Sequence, residues 1–252
     1  MPDISVVLVR PRFPENIGMA ARACANMGIE KLVLVNPERW VYAKAAPLAT
    51  GKGLVILDSA RHVPTLAQAL TEFTTAFGMT ARTGGWRSGV LTPKKAAAVI
   101  ASKLADPETV ERIALVFGPE DRGLENAEVG LCSHLVTIPT APDASSLNLA
   151  QSVLLVAYEC FNASLEHTYH PDRTPKGRKR SRTTTLEEQE FLFKTLQKTL
   201  IQIEFLPNNN AEWFMQPLRR FFRRASIQRH EFDLLMGICR RILRLAQKQH
   251  TP

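Results

Sequence analysis

Residues 4–35 read ISVVLVRPRFPENIGMAARACANMGIEKLVLV, and this stretch decides the fold. Ile4–Val9 and Leu32–Val35 are short runs rich in β-branched residues, with no polar alternation, the pattern of buried strands. Between them, Ile17 to Met27 is rich in alanine and ends at Gly28. Alanine favours a helix, and glycine is the usual residue just past its end. Strand, helix and strand in about 30 residues make a βαβ unit. The pattern continues outward. Further strands are expected at Phe73–Met79, Ile113–Phe117 and Leu135–Ile138, and helices at Thr65–Leu70, Lys94–Leu104 and Leu147–Glu166. The expected class is α/β, with a mostly parallel sheet covered on both faces.

The pattern stops near residue 167. Tyr169 to Arg182 holds Pro171, Pro175, Gly177 and six basic residues: Arg173, Lys176, Arg178, Lys179, Arg180 and Arg182. Proline, glycine and like charge together disfavour regular structure, so 167–184 reads as an exposed basic linker. Thr185-x-x-Glu188 then has the form of a capping box. Three short amphipathic helices follow, with Arg219, Arg220, Arg223, Arg224, Arg240, Arg241 and Arg244 expected on their polar faces. The division is 1–166 for an α/β domain, 167–184 for the linker and 185–252 for a helical domain.

The 252 residues carry a net charge of +8, distributed unevenly. Residues 1–166 sum to −1 and residues 167–252 to +9. A basic region beside a neutral one suggests a polyanion partner such as RNA, against the plainer reading of a solvated charged face. Hydrophobic residues make up 45% and charged residues 22%, which excludes wholesale disorder. No apolar run approaches the ~18 residues of a membrane span, and the chain starts without a signal-peptide pattern. A cytoplasmic protein is expected. Cys24, Cys132, Cys160 and Cys239 are scattered and form no metal-binding or disulfide pattern, so buried, reduced thiols are expected. The usual phosphate-, dinucleotide- and metal-binding motifs are missing, and no metal site is expected.

Three loops remain, each after a strand: residues 14–22 (PENIGMAAR), 117–124 (FGPEDRGL) and 145–151 (SSLNLAQ). Asn16 is a candidate helix cap, Gly18 allows close approach of another backbone, and Arg22 lies a turn further on. Ser145 or Ser146 is a candidate cap for the long helix that follows. Each loop alone also reads as an ordinary cap or polar turn. Their shared place at strand C-termini is where α/β sheets bind ligands.

Together the loops resemble a known family. Asn16-x-Gly18-x-x-Ala21-Arg22, Phe117-Gly118-x-Glu120-x-x-Gly123-Leu124 and Ser146-Leu147-Asn148-Leu149 resemble, in order and spacing, the three signature motifs of SPOUT-class, TrmH-like RNA 2′-O-ribose methyltransferases. The basic linker and small helical domain are similar to the TrmJ branch, which methylates nucleotide 32 of the tRNA anticodon loop. The resemblance implies a deep trefoil knot, S-adenosylmethionine as cofactor, a homodimer whose sites draw on both subunits, and tRNA as partner. It also implies that Met79, Thr80, Ala81, Gly118, Ile138, Ser145, Ser146 and Leu147 line the cofactor pocket. By the same matching, Arg22 is the catalytic arginine, supported by Asn16, Glu120, Ser146 and Asn148. Arg82, the linker bases, Arg219, Arg220, Arg223 and Arg224 would hold RNA. Met19, and Thr83 to Arg87, depart from the family pattern. Arg22 either orients the hydroxyl and a phosphate by charge-assisted bonds, the favoured role, or acts as a base of depressed proton affinity. The alternatives are an rRNA target, another tRNA nucleotide, an RNA-binding protein without catalysis, or a Rossmann-like nucleotide enzyme, which the missing glycine fingerprint disfavours.

Overall fold

A computed structural model describes residues 1, 3–82, 89–105, 109–141, 143, 146–167 and 182–249. The elements run β1 (Ile4–Val9), α1 (Pro14–Asn26), β2 (Lys31–Val35), α2 (Tyr42–Ala49), α3 (Lys52–Asp58), β3 (Arg61–Val63), α4 (Leu66–Ala69), β4 (Thr75–Met79), α5 (Pro93–Leu104), β5 (Ile113–Phe117), α6 (Asn126–Leu131), β6 (His134–Val136) and α7 (Leu149–His167). Three helices follow: α8 (Leu186–Gln202), α9 (Ala211–Ala225) and α10 (Arg229–Gln249). No described helix is long and apolar enough to cross a membrane.

The six strands form one parallel sheet in the order β3-β2-β1-β5-β4-β6. Alternation along each strand splits its residues between two cores. Ile4, Val6 and Leu8 of β1 face a cluster built with α1, α3, α5 and α7. Val7 and Val9 face a second cluster built with Leu66, Phe73, Val129 and Leu186. All six β1 residues are buried, the expected signature of a sheet covered twice.

Two glycines set the layer over α1. A Cβ on Gly18 would lie 2.0 Å from the Ala45 carbonyl oxygen, and one on Gly53 would lie 2.8 Å from the Arg22 Cα. Gly18 therefore admits α2 to contact, as its sequence context suggested, and Gly53 admits α3. Gly28 takes φ +67° just past α1, where a side chain would be strained.

Two capping expectations are corrected. Phe13 is the N-cap residue of α1 and Pro14 opens the helix, so Asn16 lies inside the first turn. Pro14 suits the first helical position, where the missing N–H has no partner to lose, and the Asn16 side chain is left to bond elsewhere. At α7 the cap is Asn148, whose Oδ1 accepts from the N–H groups of Ala150 at 2.9 Å and Gln151 at 3.3 Å. Ser146 does not fill that place, and Ser145 lies outside the described residues.

Thr183 and Thr184, at the end of the expected linker, are buried. The Thr184 N–H donates to the Ile227 carbonyl at 2.9 Å, and the Leu186 N–H donates to the Phe73 carbonyl at 2.9 Å. The helical part thus rests on the sheet's second face. Its capping box is present, Thr185 and Glu188 each bonding the other's backbone N–H. All four cysteines are buried and free, as the sequence suggests, and burial pushes the Cys24, Cys132 and Cys160 thiols up to about 12.

Candidate active site

Parallel strands end together, so loops from distant parts of the sequence meet at one edge of the sheet. Three meet here. The loop after β5 turns at Gly123 (φ +67°), whose N–H donates to the Pro119 carbonyl at 2.9 Å. A Cβ on Gly118 would lie 2.4 Å from both the Gly123 carbonyl carbon and the Leu124 nitrogen, so only glycine fits the fold-back. This presents the Glu120 carboxylate toward α1. Its Oε1 accepts from Asn16 Nδ2 at 2.7 Å, and its Oε2 accepts from the Arg12 backbone N–H at 3.0 Å. Asn16 Oδ1 in turn accepts from Asn148 Nδ2 at 2.8 Å. One chain of hydrogen bonds therefore ties all three motif loops together.

Beside that chain lies a cavity of about 270 Å³. Met79, Thr80, Ala81, Gly118, Ile138, Ser146 and Leu147 all line it, as the family resemblance implies. So do Glu120 and Arg82, the latter donating to the Arg122 carbonyl at 3.5 Å. A second, more open cleft is lined by Phe13, Glu15, Asn16, Asn148, Glu120, Ser146 and Leu147. The last three belong to both spaces.

Some lining residues carry no sequence signal. Thr140 and Ser152 face the cavity, and neither belongs to a recognisable motif. Ser152 is reached because it lies one turn beyond the Asn148 cap. Phe117 and Leu124 bracket the quoted loop and supply apolar wall.

Arg22 is not brought to this cavity. It lies six residues beyond Asn16, about 9 Å along the helix and on another face. Its side chain is exposed, and among the described residues its guanidinium makes no hydrogen bond or ion pair. Met19, one turn before it, is exposed as well.

Besides Arg82, the expected RNA-holding arginines and lysines have different surroundings. Arg173, Lys176, Arg178, Lys179 and Arg180 lie outside the described residues. Arg224 is exposed and Arg220 half-buried on α9. Arg219 and Arg223 are corrected: at 9% and 3% exposure they face inward, not toward solvent. Both bond the Glu190 carboxylate, a partner that the spacing within α9 could not reveal. Burial lowers the pKa of Arg223. Arg182 is engaged too, in a forked pair with Glu188 at 2.5 and 2.8 Å. That pair holds the Glu188 carboxyl down at about 2.

Comparison with known proteins places this geometry. The model of the SpoU rRNA Methylase family matches residues 3–158, and that of the tRNA methyltransferase TrmJ C-terminal domain matches residues 187–251. The tRNA (cytidine/uridine/adenosine-2'-O-)-methyltransferase TrmJ of Pseudomonas aeruginosa is 38% identical over 239 residues, covering 93% of this chain and 91% of the relative. The tRNA (cytidine/uridine-2'-O-)-methyltransferase TrmJ of Pectobacterium atrosepticum is 34% identical, covering 99% of both. Among solved structures, TrmJ from Z. mobilis ZM4 superposes with a TM-score of 0.76 at 33% identity, covering 96% of this chain and 99% of that one. With the motif loops, the sheet and both parts of the chain accounted for by the same relatives, the chain belongs to the SpoU methylase family.

Proposed function

We propose that this protein methylates the ribose 2′-hydroxyl of tRNA, at nucleotide 32 of the anticodon loop, with S-adenosylmethionine as methyl donor. The observation that carries this reading is that Glu120, Ser146 and Leu147 line both of two adjoining spaces, the cavity and the more open cleft. A transfer between two bound molecules needs two adjoining sites, and here three motif residues face both. The relatives that match along the whole chain are named as tRNA 2'-O-methyltransferases, which favours tRNA over rRNA.

The residues present fit the cofactor. Met79, Leu124, Val136, Ile138 and Leu147 give apolar wall for an adenine ring. The Glu120 and Asp121 carboxylates suit the cationic end of the ligand. When bound, S-adenosylmethionine supplies a methyl group already activated by its sulfonium charge, and no metal is needed. The protein's task is then alignment, worth ~7 kcal/mol or more, and removal of one proton, worth roughly 10²–10⁴-fold. Asn16 and the Arg12 N–H fix the Glu120 carboxylate, and Asn148 fixes Asn16. The rigid line of polar groups orients whatever enters the cleft.

Arg22, directed away from its own cavity, serves the neighbouring subunit of a homodimer. Exposed Met19 on α1, with Leu154, Leu155 and Tyr158 on α7, offers apolar surface for such a contact. There the guanidinium orients the hydroxyl and a phosphate by charge-assisted bonds, and the phosphate or water takes the proton.

The trefoil knot has support in the pairing around β6. Thr80 N–H donates to the Val136 carbonyl, Leu91 N–H to the Leu135 carbonyl and Thr137 N–H to the Leu91 carbonyl, at 2.8–2.9 Å. The end of β6 thus lies between the outgoing and returning arms of the β4–α5 connection. The proposed working divisions are 1–166 for catalysis, 167–184 as a basic linker and 185–252 for gripping tRNA in the cytoplasm.

The test is incubation of the full chain with methyl-labelled S-adenosylmethionine and total RNA, followed by mapping of the modified nucleotide. Label at the 2′-oxygen of tRNA nucleotide 32 is the expected result. Label in rRNA or at another tRNA position would move the substrate assignment, and no transfer would contradict catalysis.

A further inference from the structure

Phe13 opens helix α1 as its N-cap residue. Serine, threonine, aspartate and asparagine favour that position, because their side chains bond the first backbone N–H groups of the helix. Phe13 makes no such bond. It belongs to neither core of the sheet and is 47% exposed. It does line the more open cleft, with Glu15, Asn16, Glu120, Ser146 and Asn148, and it is the one aromatic residue there.

The charges in the cleft limit what lies against the ring. Glu15 and Glu120 bring two carboxylates, and among the described residues no lysine or arginine lines the space. A phosphate is repelled there, whereas an uncharged base is not. Asn148 donates to Asn16, and Asn16 donates to Glu120, so both amides are already engaged. The surface left for a planar, uncharged group is the face of Phe13. Covalent connectivity agrees. Glu120, Ser146 and Leu147 line both spaces, so a ribose whose 2′-oxygen meets the methyl donor lies at these residues. The base is bonded to the ribose carbon next to the one that bears this oxygen, and it therefore enters the same cleft.

We propose that Phe13 is the platform on which the base of the target nucleotide stacks while its ribose is methylated. This rests on the reading of the cleft as the RNA side of a 2′-O-methyltransferase. It adds a substrate-binding residue outside the three motifs, one that grips the base by its face and so holds cytosine and uracil alike. The experiment measures binding of the full chain to its tRNA substrate and to the same tRNA with an abasic ribose at the nucleotide that the wild-type chain methylates. Phe13→Ala should weaken binding of the intact tRNA about ten-fold, the range of one base–aromatic stack. Affinity for S-adenosylmethionine should stay near wild type, because Phe13 does not line the cofactor cavity. Phe13→Tyr, which keeps a ring, should retain most of the tRNA affinity. The wild-type chain and Phe13→Ala should bind the abasic tRNA equally, because the ring then has no base to hold. An equal loss on both tRNAs, or no loss on either, would overturn the proposal. So would a smaller oligomer in Phe13→Ala, which would show that a second copy of the chain covers the ring. Methylation by the wild-type chain is followed in parallel. No transfer to any RNA would refute the enzymatic reading and this proposal with it, whereas transfer beside equal losses refutes this proposal alone.

Discussion

Strand β5 has a carboxylate just outside each of its ends, and the two have opposite surroundings. Glu111, before the strand, is 5% exposed. It accepts hydrogen bonds from the hydroxyls of Thr74, Thr75 and Thr183 and faces Lys103 Nζ at 3.7 Å. Lys103 also donates to Ser226, at the turn between α9 and α10. Every group around Glu111 belongs to the protein, and together they clamp the helical part to the sheet. Glu120, after the strand, is half-buried with two protein donors and opens on two cavities. A carboxylate saturated by protein groups anchors, whereas one left partly open at the strand C-termini is available for chemistry.

The sharpest way to break this comparison is to remove each carboxylate. Glu111→Ala should lower the unfolding free energy by about 3 kcal/mol, because it removes the acceptor of three hydroxyls and the partner of the half-buried Lys103 ammonium. Denaturant midpoints read the loss, and cofactor affinity of the folded fraction should stay near wild type. Glu120→Ala should do the reverse: kcat falls by about 10²-fold through misplacement of Asn16 and the bound groups, with the midpoint almost unmoved. A third substitution tests the layer that carries Asn16 and Arg22. Gly18→Ala pushes a methyl into the Ala45 carbonyl and should cost about 1–3 kcal/mol, visible as a lower melting temperature. The smallest effect at neutral pH concerns His134, stacked on Phe77 at 4.8 Å. Burial first, then Lys103 and Arg224, lowers its pKa to about 4. The folded state therefore binds fewer protons than the unfolded one between pH 6.5 and 4. Stability is fully present above pH 6.5 and is lost as pH falls through that window. His134→Phe should flatten this limb and leave the lower one, from Glu188, between about pH 4.5 and 2.

Much of the sheet was legible because buried parallel strands are near-continuous apolar runs. β1 and β5 match their expected limits to the residue. β3 was missed: it has three residues, two of them exposed and polar. α2 was missed because Pro47 lies inside it, and α6 because its capping box uses Glu125 in place of serine or threonine. Gly118, Glu120, Ser146 and Leu147 of the cavity were legible through the motifs, and Met79, Thr80, Ala81 and Ile138 through the family resemblance. Two features were not. Asn16 pairs with Asn148 across 132 positions, a contact that local capping rules, which place Asn16 as a helix cap, do not show. The inward placement of Arg219 and Arg223 has the same origin. Helical periodicity separates two faces but does not say which faces inward, and Glu190 on α8 decides it.

The most direct measurement of the central claim uses the chemistry of the product. RNA is cleaved by alkali through its 2′-hydroxyls, so a 2′-O-methylated nucleotide survives in a resistant dinucleotide. tRNA incubated with methyl-labelled S-adenosylmethionine and the wild-type chain should yield label in that dinucleotide, strongly reduced with Glu120→Ala and retained with His134→Phe. Label in ordinary mononucleotides, marking a methylated base, or transfer undiminished by Glu120→Ala, would contradict the account.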